Sequence, residues 1–237
     1  MLAALHLVGP ERGSLVITEG PLAPPLDGEL LEAFRKISPS TVGHMTDTGF
    51  FKGLHLVGSA PAKLVGRAFT VQIPHLDSSA VHIAVSLLAA GDVLVVDMNG
   101  DHERASVGGM VAYAAVRRGA VGIVVDGSIT DITEILALQV PVYARGVSPL
   151  TTRSLGIEGA VQGAVHVGGS VVEPGDLIFG DENGAMVVRG PNLRELAHNA
   201  YLKERGEEET RRQLDAGALL MDLSGAARFR SKGGTAS

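Results

Sequence analysis

From Lys63 onward the chain sets fully apolar runs against stretches of helical period, an alternation that reads as linked strand–helix units. Residues 64–74 form a strand that Pro74 ends, and Asp77 or Ser78 stands where it can cap an apolar helix running to Ala90. Gly91-Asp92 turns into an apolar strand over 93–96. A polar loop, 97–104, leads to a helix over about 107–118 that Gly119 stops, with Arg117 and Arg118 near the negative end of its dipole. Residues 120–125 are again fully apolar and strand-like, followed by a loop, a short helix around 131–138 and a strand at 140–144. Strands without polar alternation are buried on both faces, and with helices between them they predict parallel α/β layers.

The flanks are patterned differently. Residues 1–26 show little periodicity, and Asp27 can cap a helix over 29–37, with a second short helix at 41–47 and a loop over 49–62. Beyond Ser148 the apolar runs at 161–172, 176–179 and 184–188 are short and broken by Gly168-Gly169 and Pro174-Gly175, which predicts antiparallel β-structure. Pro191 opens a long, charged, amphipathic helix to about residue 214, and the small, Gly-rich residues 223–237 read as a frayed tail. One domain over 27–222 accounts for the pattern, and a chain of 237 residues can be served by one core.

Composition sharpens this picture. Hydrophobic residues make up 45% but aromatic ones only 4%, so the core is aliphatic. The 31 glycines are about twice the usual share and lie among apolar runs, which indicates tight turns and close backbone approaches. A net charge of −6 argues against nucleic acid and against an anionic membrane surface as partners. No apolar run reaches the ~18 residues of a membrane span. Met1 to Val8 lacks the basic lead and apolar core of a leader, and the absence of cysteine rules out disulfides, thiolate catalysis and Cys-based zinc sites. The expectation is a soluble, cytoplasmic protein.

Candidate chemistry concentrates between Gly91 and Glu134. Gly108-Gly109-Met110-Val111 opens a helix after a buried strand, where free N–H groups and the helix dipole favour an anion and glycine lets it approach. No Lys-Ser or Lys-Thr follows, so this is not a Walker loop. The same glycines equally serve close helix–sheet packing. Asp126 to Asp131 follow a parallel strand, in the usual ligand crevice of such folds. Asp131 begins a helix, so capping is its plain role, with Glu134 completing a capping box. Beside an anion site it has a second use, because Mg2+ is commonly held by one carboxylate, several waters and substrate oxygens. Asp97, Asp101, His102 and Glu103 lie on the same side of the sheet and offer a supporting carboxylate or a general acid/base, Asp101 foremost. His44, His55, His75, His82, His166 and His198 show no metal-site spacing, and His82, on an apolar helix, reads as a core or interface residue. Glu207-Glu208-Glu209 reads as a solvated face of the last helix.

These residues, in this order, resemble the RraA-like family, which includes divalent-metal aldolases of 4-hydroxy-4-methyl-2-oxoglutarate and 4-carboxy-4-hydroxy-2-oxoadipate and the non-catalytic regulator of ribonuclease activity. The likeness spans most of residues 30–220 and is densest in Gly91-Asp92-Val93-Leu94-Val95-Val96-Asp97, in residues 108–112 and 119–131, in Pro141-Val142-Tyr143-Ala144-Arg145-Gly146, and from Pro174-Gly175-Asp176 to Gly180-Asp181. It implies an α/β fold of the swivelling β/β/α type, assembled as trimers or hexamers. It further implies that the amides of Gly108, Gly109, Met110 and Val111 hold a pyruvate-like carboxylate, and that an Arg-Asp pair grips substrate and metal.

The positions matching that pair are Thr130 and Asp131: the metal Asp is retained and the Arg is lost. A Thr hydroxyl offers one neutral hydrogen bond where a guanidinium offers charged, bidentate recognition, a difference of ~1.5–3 kcal/mol. The position after Gly108, often acidic in active aldolases, is Gly109, and an acidic residue from a neighbouring subunit corresponds to Glu207 or Glu208. The resemblance thus implies a lyase on a small 2-oxo acid, by retro-aldol cleavage or oxaloacetate decarboxylation, with Mg2+ or Mn2+ on Asp131, Thr130 in the Arg place and Asp101 in reserve for proton transfer. The rival is a binding or regulatory protein on the same scaffold. Arg104 and Arg145 are the cations available to replace the lost charge.

Overall fold

The computed structural model describes residues 17–58, 63–74 and 76–230. Residues 1–16, including Met1 to Val8, together with His75, part of the loop before the first long strand and the end of the Gly-rich tail, lie outside the described residues. In chain order the elements are β1 (Ile17–Glu19), α1 (Gly28–Arg35), α2 (Pro39–Val42), β2 (His55–Leu56), β3 (Leu64–Gln72), α3 (Ser79–Leu87), β4 (Asp92–Asp97), β5 (Ala105–Val107), α4 (Gly109–Arg117), β6 (Gly122–Ile129), α5 (Ile132–Ala137) and β7 (Val142–Val147). There follow β8 (Gly159–Val161), β9 (Val165–Val167), β10 (Ser170–Val172), β11 (Leu177–Asp181), β12 (Gly184–Val188), α6 (Leu193–Asp215) and α7 (Leu220–Leu223).

β3, β4, β6 and β7 run parallel as the centre of the main sheet. Their side chains divide by the period of two that a strand imposes. Leu94, Val96, Ile123 and Val125 face a core shared with α3 and α4, while Val93, Val95 and Val124 face one shared with β9, β11 and β12. Both faces are therefore dry, which is why β4 and β6 carry no polar alternation. A third cluster packs Leu30, Phe34 and Val42 of α1 and α2 and Ala197 and Ala200 of α6 against Phe179 and Met186. The order helix layer, sheet, β layer, outer helices is the α/β architecture expected, with its long C-terminal helix, and the turn-rich portion pairs antiparallel in the β9–β10 and β11–β12 hairpins.

Local chemistry fixes the ends. Asp27 accepts the Glu29 N–H at the head of α1, Ser38 accepts that of Thr41 at the head of α2, and Pro39 occupies the first turn of α2. At Gly119 the backbone turns with φ +96°, and a Cβ there would stand 2.8 Å from Ala90 Cα.

Three boundaries differ from expectation in ways that bear on function. The loop after β4 contains a short strand, β5, which pairs with the end of β6. β6 itself continues through Asp126, Gly127 and Ser128 to Ile129 instead of stopping at Val125. The tail region folds into α7 and a 3-10 turn over Ala226–Phe229 before the described residues end. Among the described residues no helix is long and apolar enough to cross a membrane.

Candidate functional site

β5 and β6 lie parallel, Ala105 opposite Ser128 and Val107 opposite Ile129, and each feeds directly into a helix. The Thr130 N–H donates to Val107 O at 3.0 Å, tying the two exits together. The heads of α4 and α5 therefore stand side by side, although more than twenty residues separate them in sequence.

Asp131 sits between them in the left-handed region, φ 56° and ψ 44°. Its main-chain oxygen accepts the Glu134 and Ile135 N–H groups, each at 3.0 Å, as an N-cap's should. Its side chain does not cap α5, so the expected capping box is absent. Instead Oδ2 reaches across and accepts the N–H of Gly109, the first residue of α4, at 2.9 Å. The left-handed backbone is what turns the carboxylate toward the neighbouring helix. Among the described residues the one hydrogen-bond partner of Oδ1 is the Thr130 hydroxyl, at 3.5 Å.

The glycine pair is a matter of space. A Cβ on Gly108 would stand 2.6 Å from Asp131 Oδ2 and 3.0 Å from Thr130 Cγ2, and one on Gly109 would collide with Glu134 Oε2. Glycine thus makes room for side chains arriving from α5. The amides of Met110 and Val111, the next two donors of α4, have no partner among the described residues, as a helix's first turn leaves them. Met110 is 75% exposed, and with Val111, His82, Val85, Ser86 and Ala114 it lines a groove of about 240 Å³ between α3 and α4. His82 is thus exposed on the groove and not a core residue. A larger cleft of about 520 Å³, bordered by Thr48, Lys52, Ser170 and Arg189, contains none of the candidate residues.

The other carboxylates near the strand ends have partners. Asp101 accepts the Arg104 guanidinium at 2.6 Å and the Glu103 and Arg104 N–H groups at 3.0 and 3.1 Å. Burial alone pushes its pKa up, but these bonds outweigh it and hold the group below the usual carboxylate range. Asp97 accepts Gln72 Nε2 and the His166 and Asn99 N–H groups. Asp126 is paired with Arg145, accepts the Gly168 N–H at 2.8 Å, and has His102 Nε2 3.7 Å away. Arg104 and Arg145, the two candidate replacement cations, are therefore each engaged by a carboxylate of their own. Glu207 and Glu208 pair with Arg211 and Arg205 of their own helix, α6, which packs on α1 and α2.

Among the described residues no group of three or more His, Cys, Asp or Glu side chains is gathered as a metal cage. The donor set at the α4–α5 junction is of a different kind: the Asp131 carboxylate, with a second carboxylate filling the cradle that a Cβ on Gly109 would occupy. Such a set fits a hard divalent ion that keeps most of its waters or takes substrate oxygens, as Mg2+ does. The sequence singles out Asp131 and the glycine turn as candidates. It does not single out Glu134 as a neighbour of Gly109, because the spacing Asp131-x-x-Glu134 reads equally well as a capping box.

Fold and site together define an α/β protein in which two adjoining helix heads bring backbone amides and carboxylates side by side. The RraA-like family model, described as Aldolase/RraA, matches residues 40–187, and the chain belongs to that family. A Halalkalibacterium halodurans protein provisionally named a 4-hydroxy-4-methyl-2-oxoglutarate aldolase is 36% identical over 152 residues, covering 64% of this chain and 72% of that protein. Among solved structures, RraAS2 of Streptomyces coelicolor, described as an unusual member of the RNase ES inhibitor RraA family, superposes with a TM-score of 0.71 at 29% identity, covering 80% of this chain and 98% of that one. An uncharacterised Pseudomonas syringae protein matches with a TM-score of 0.72 at 25% identity, over 87% and 98%.

Proposed function

We propose that the chain is a divalent-metal-dependent lyase acting on a small 2-oxo acid, either by pyruvate-forming retro-aldol cleavage of a substrate like 4-hydroxy-4-methyl-2-oxoglutarate or by decarboxylation of oxaloacetate. The observation that carries the reading is the Asp131 carboxylate turned away from its own helix onto the head of α4, beside two unpartnered amides. Aldolase names among its relatives support the same reaction class.

In this reading the N–H groups of Met110 and Val111 orient the substrate's carboxylate, helped by the α4 dipole. Thr130 donates its hydroxyl to the distal part of the substrate. Asp131 would hold Mg2+ or Mn2+, and the bound ion would supply charge stabilisation to a 2-oxo acid. Asp101, locked to Arg104 and held ionised, is poorly suited to give up a proton at neutral pH. Assembly as a homotrimer or homohexamer and a cytoplasmic location belong to the same proposal.

A second reading, a non-catalytic binding or regulatory protein, is favoured by one observation. Thr130 stands where a cation is expected, and Arg104 and Arg145 are both engaged elsewhere. Pyruvate release from oxaloacetate and from 4-hydroxy-4-methyl-2-oxoglutarate, with and without Mg2+, separates the two. The lyase reading expects metal-dependent release that Asp131→Ala abolishes. No turnover of either substrate, unrestored by Thr130→Arg, overturns it.

A further inference from the structure

Several carboxylates along the rim of this sheet are answered by an arginine, Asp92 by Arg67, Asp101 by Arg104, Asp126 by Arg145 and Asp176 by Arg189, and Asp97 is held by Gln72 and two backbone N–H groups. Asp131 and Glu134 are exposed, and neither has a cationic side chain within ion-pair distance among the described residues. Yet they are brought together. They lie three residues apart in the chain, and both lean over the head of α4, Asp131 against Gly108 and Glu134 against Gly109. The glycines permit this, since a Cβ at either position would collide with a carboxylate oxygen. The Glu134 side chain makes no hydrogen bond to the α4 amides among the described residues, so capping does not account for its placement.

We propose that Glu134 supplies a second carboxylate toward the divalent ion at Asp131, from the volume that the bare Cα of Gly109 leaves open. The proposal rests on the metal-dependent reading above. Two carboxylates over adjacent residues at the head of α4 concentrate negative charge there, and the α4 dipole alone offers only about half a charge to offset it. Oxygen donors without His or Cys suit a hard ion such as Mg2+ or Mn2+. Glu134 either touches the ion or binds one of its waters. Both arrangements place its function in affinity for the ion and not in folding.

The test is a titration of the full chain with Mn2+ in the presence of pyruvate, following free Mn2+ by electron paramagnetic resonance. Glu134→Gln is expected to weaken binding ten- to a hundredfold, with an unchanged unfolding midpoint. Gly109→Ala keeps both carboxylates but pushes Glu134 aside, and is expected to weaken binding to a similar degree. Combined with Glu134→Gln it adds little further, the signature of a shared interaction. If Asp131→Asn loses Mn2+ while Glu134→Gln binds within twofold of wild type, Glu134 is no ligand and the lyase reading survives without it. Wild-type affinity in Gly109→Ala overturns the placement over Gly109. A wild-type chain that binds no Mn2+ removes the metal reading and this inference together.

Discussion

Asp126 and Asp131 stand five residues apart at the same end of β6, and they live under opposite conditions. Asp126 is still within the strand and 8% exposed; it is held by Arg145, by the Gly168 N–H and near His102. It fastens β6 to β7 and to the turn of the β9–β10 hairpin. Asp131 lies just past the strand, is exposed, and takes one amide of a neighbouring helix with no cation beside it. A carboxylate at the C-terminal end of a parallel strand is thus not automatically chemistry. What separates the two is the charge beside them: Asp126 is buried against a guanidinium, while Asp131 is exposed with no cation beside it among the described residues.

Substitutions can break that contrast. The largest expected effect is Asp131→Ala, which should lower pyruvate release by roughly two to three orders of magnitude while costing about 1 kcal/mol of stability, since Ala bears the left-handed backbone worse than Asp and the Gly109 bond is lost. Asp126→Ala should do the reverse. Leaving the part-buried Arg145 and the Gly168 N–H without their partner costs about 2 kcal/mol in a urea titration, and the residual folded protein keeps its substrate affinity. Equal losses of stability in the two variants would erase the distinction.

Thr130→Arg sharpens the comparison by adding the missing charge next to Asp131. A lower KM for a dianionic 2-oxo acid, by about 1.5–3 kcal/mol in binding, is the expected result, and an unchanged KM would mean the side chain does not reach substrate. The smallest effect belongs to Asp101→Asn. Turnover at neutral pH should fall less than about tenfold, against the roughly 10²–10⁴-fold due to a general acid or base. The pH profile of stability supplies the second half of that test. Because the folded pKa of Asp101 lies below its unfolded value, its contribution is full above about pH 4 and is lost as pH falls through the folded value. The Asn variant should lack that acid-side slope.

The reach of sequence reading follows the same division. β4 and the start of β6 were legible because two-sided burial writes itself as unbroken Val, Leu and Ile. The heads of α4 and α5 were legible from Gly108 and Asp131. The three-residue β5 was hidden by its length and its position beside a polar loop. The true end of β6 was hidden because Asp126 and Ser128 are polar yet buried, satisfied by Arg145 and by the His102 carbonyl. No local pattern announces a partner that arrives from another loop. The same holds for Glu134, whose relation to Gly109 exists only once β5 and β6 lie side by side.

The backbone at Asp131 carries an evolutionary implication. A left-handed conformation costs a residue with a Cβ about 1–2 kcal/mol that glycine escapes, and Asp bears it better than most. Asp131→Gly should therefore leave the fold as stable as before, or slightly more so. Drift under selection for stability alone would favour that replacement. A carboxylate there does two things glycine cannot, accepting the Gly109 N–H and carrying charge to the head of α4, so its replacement by glycine in any descendant would give up both at once.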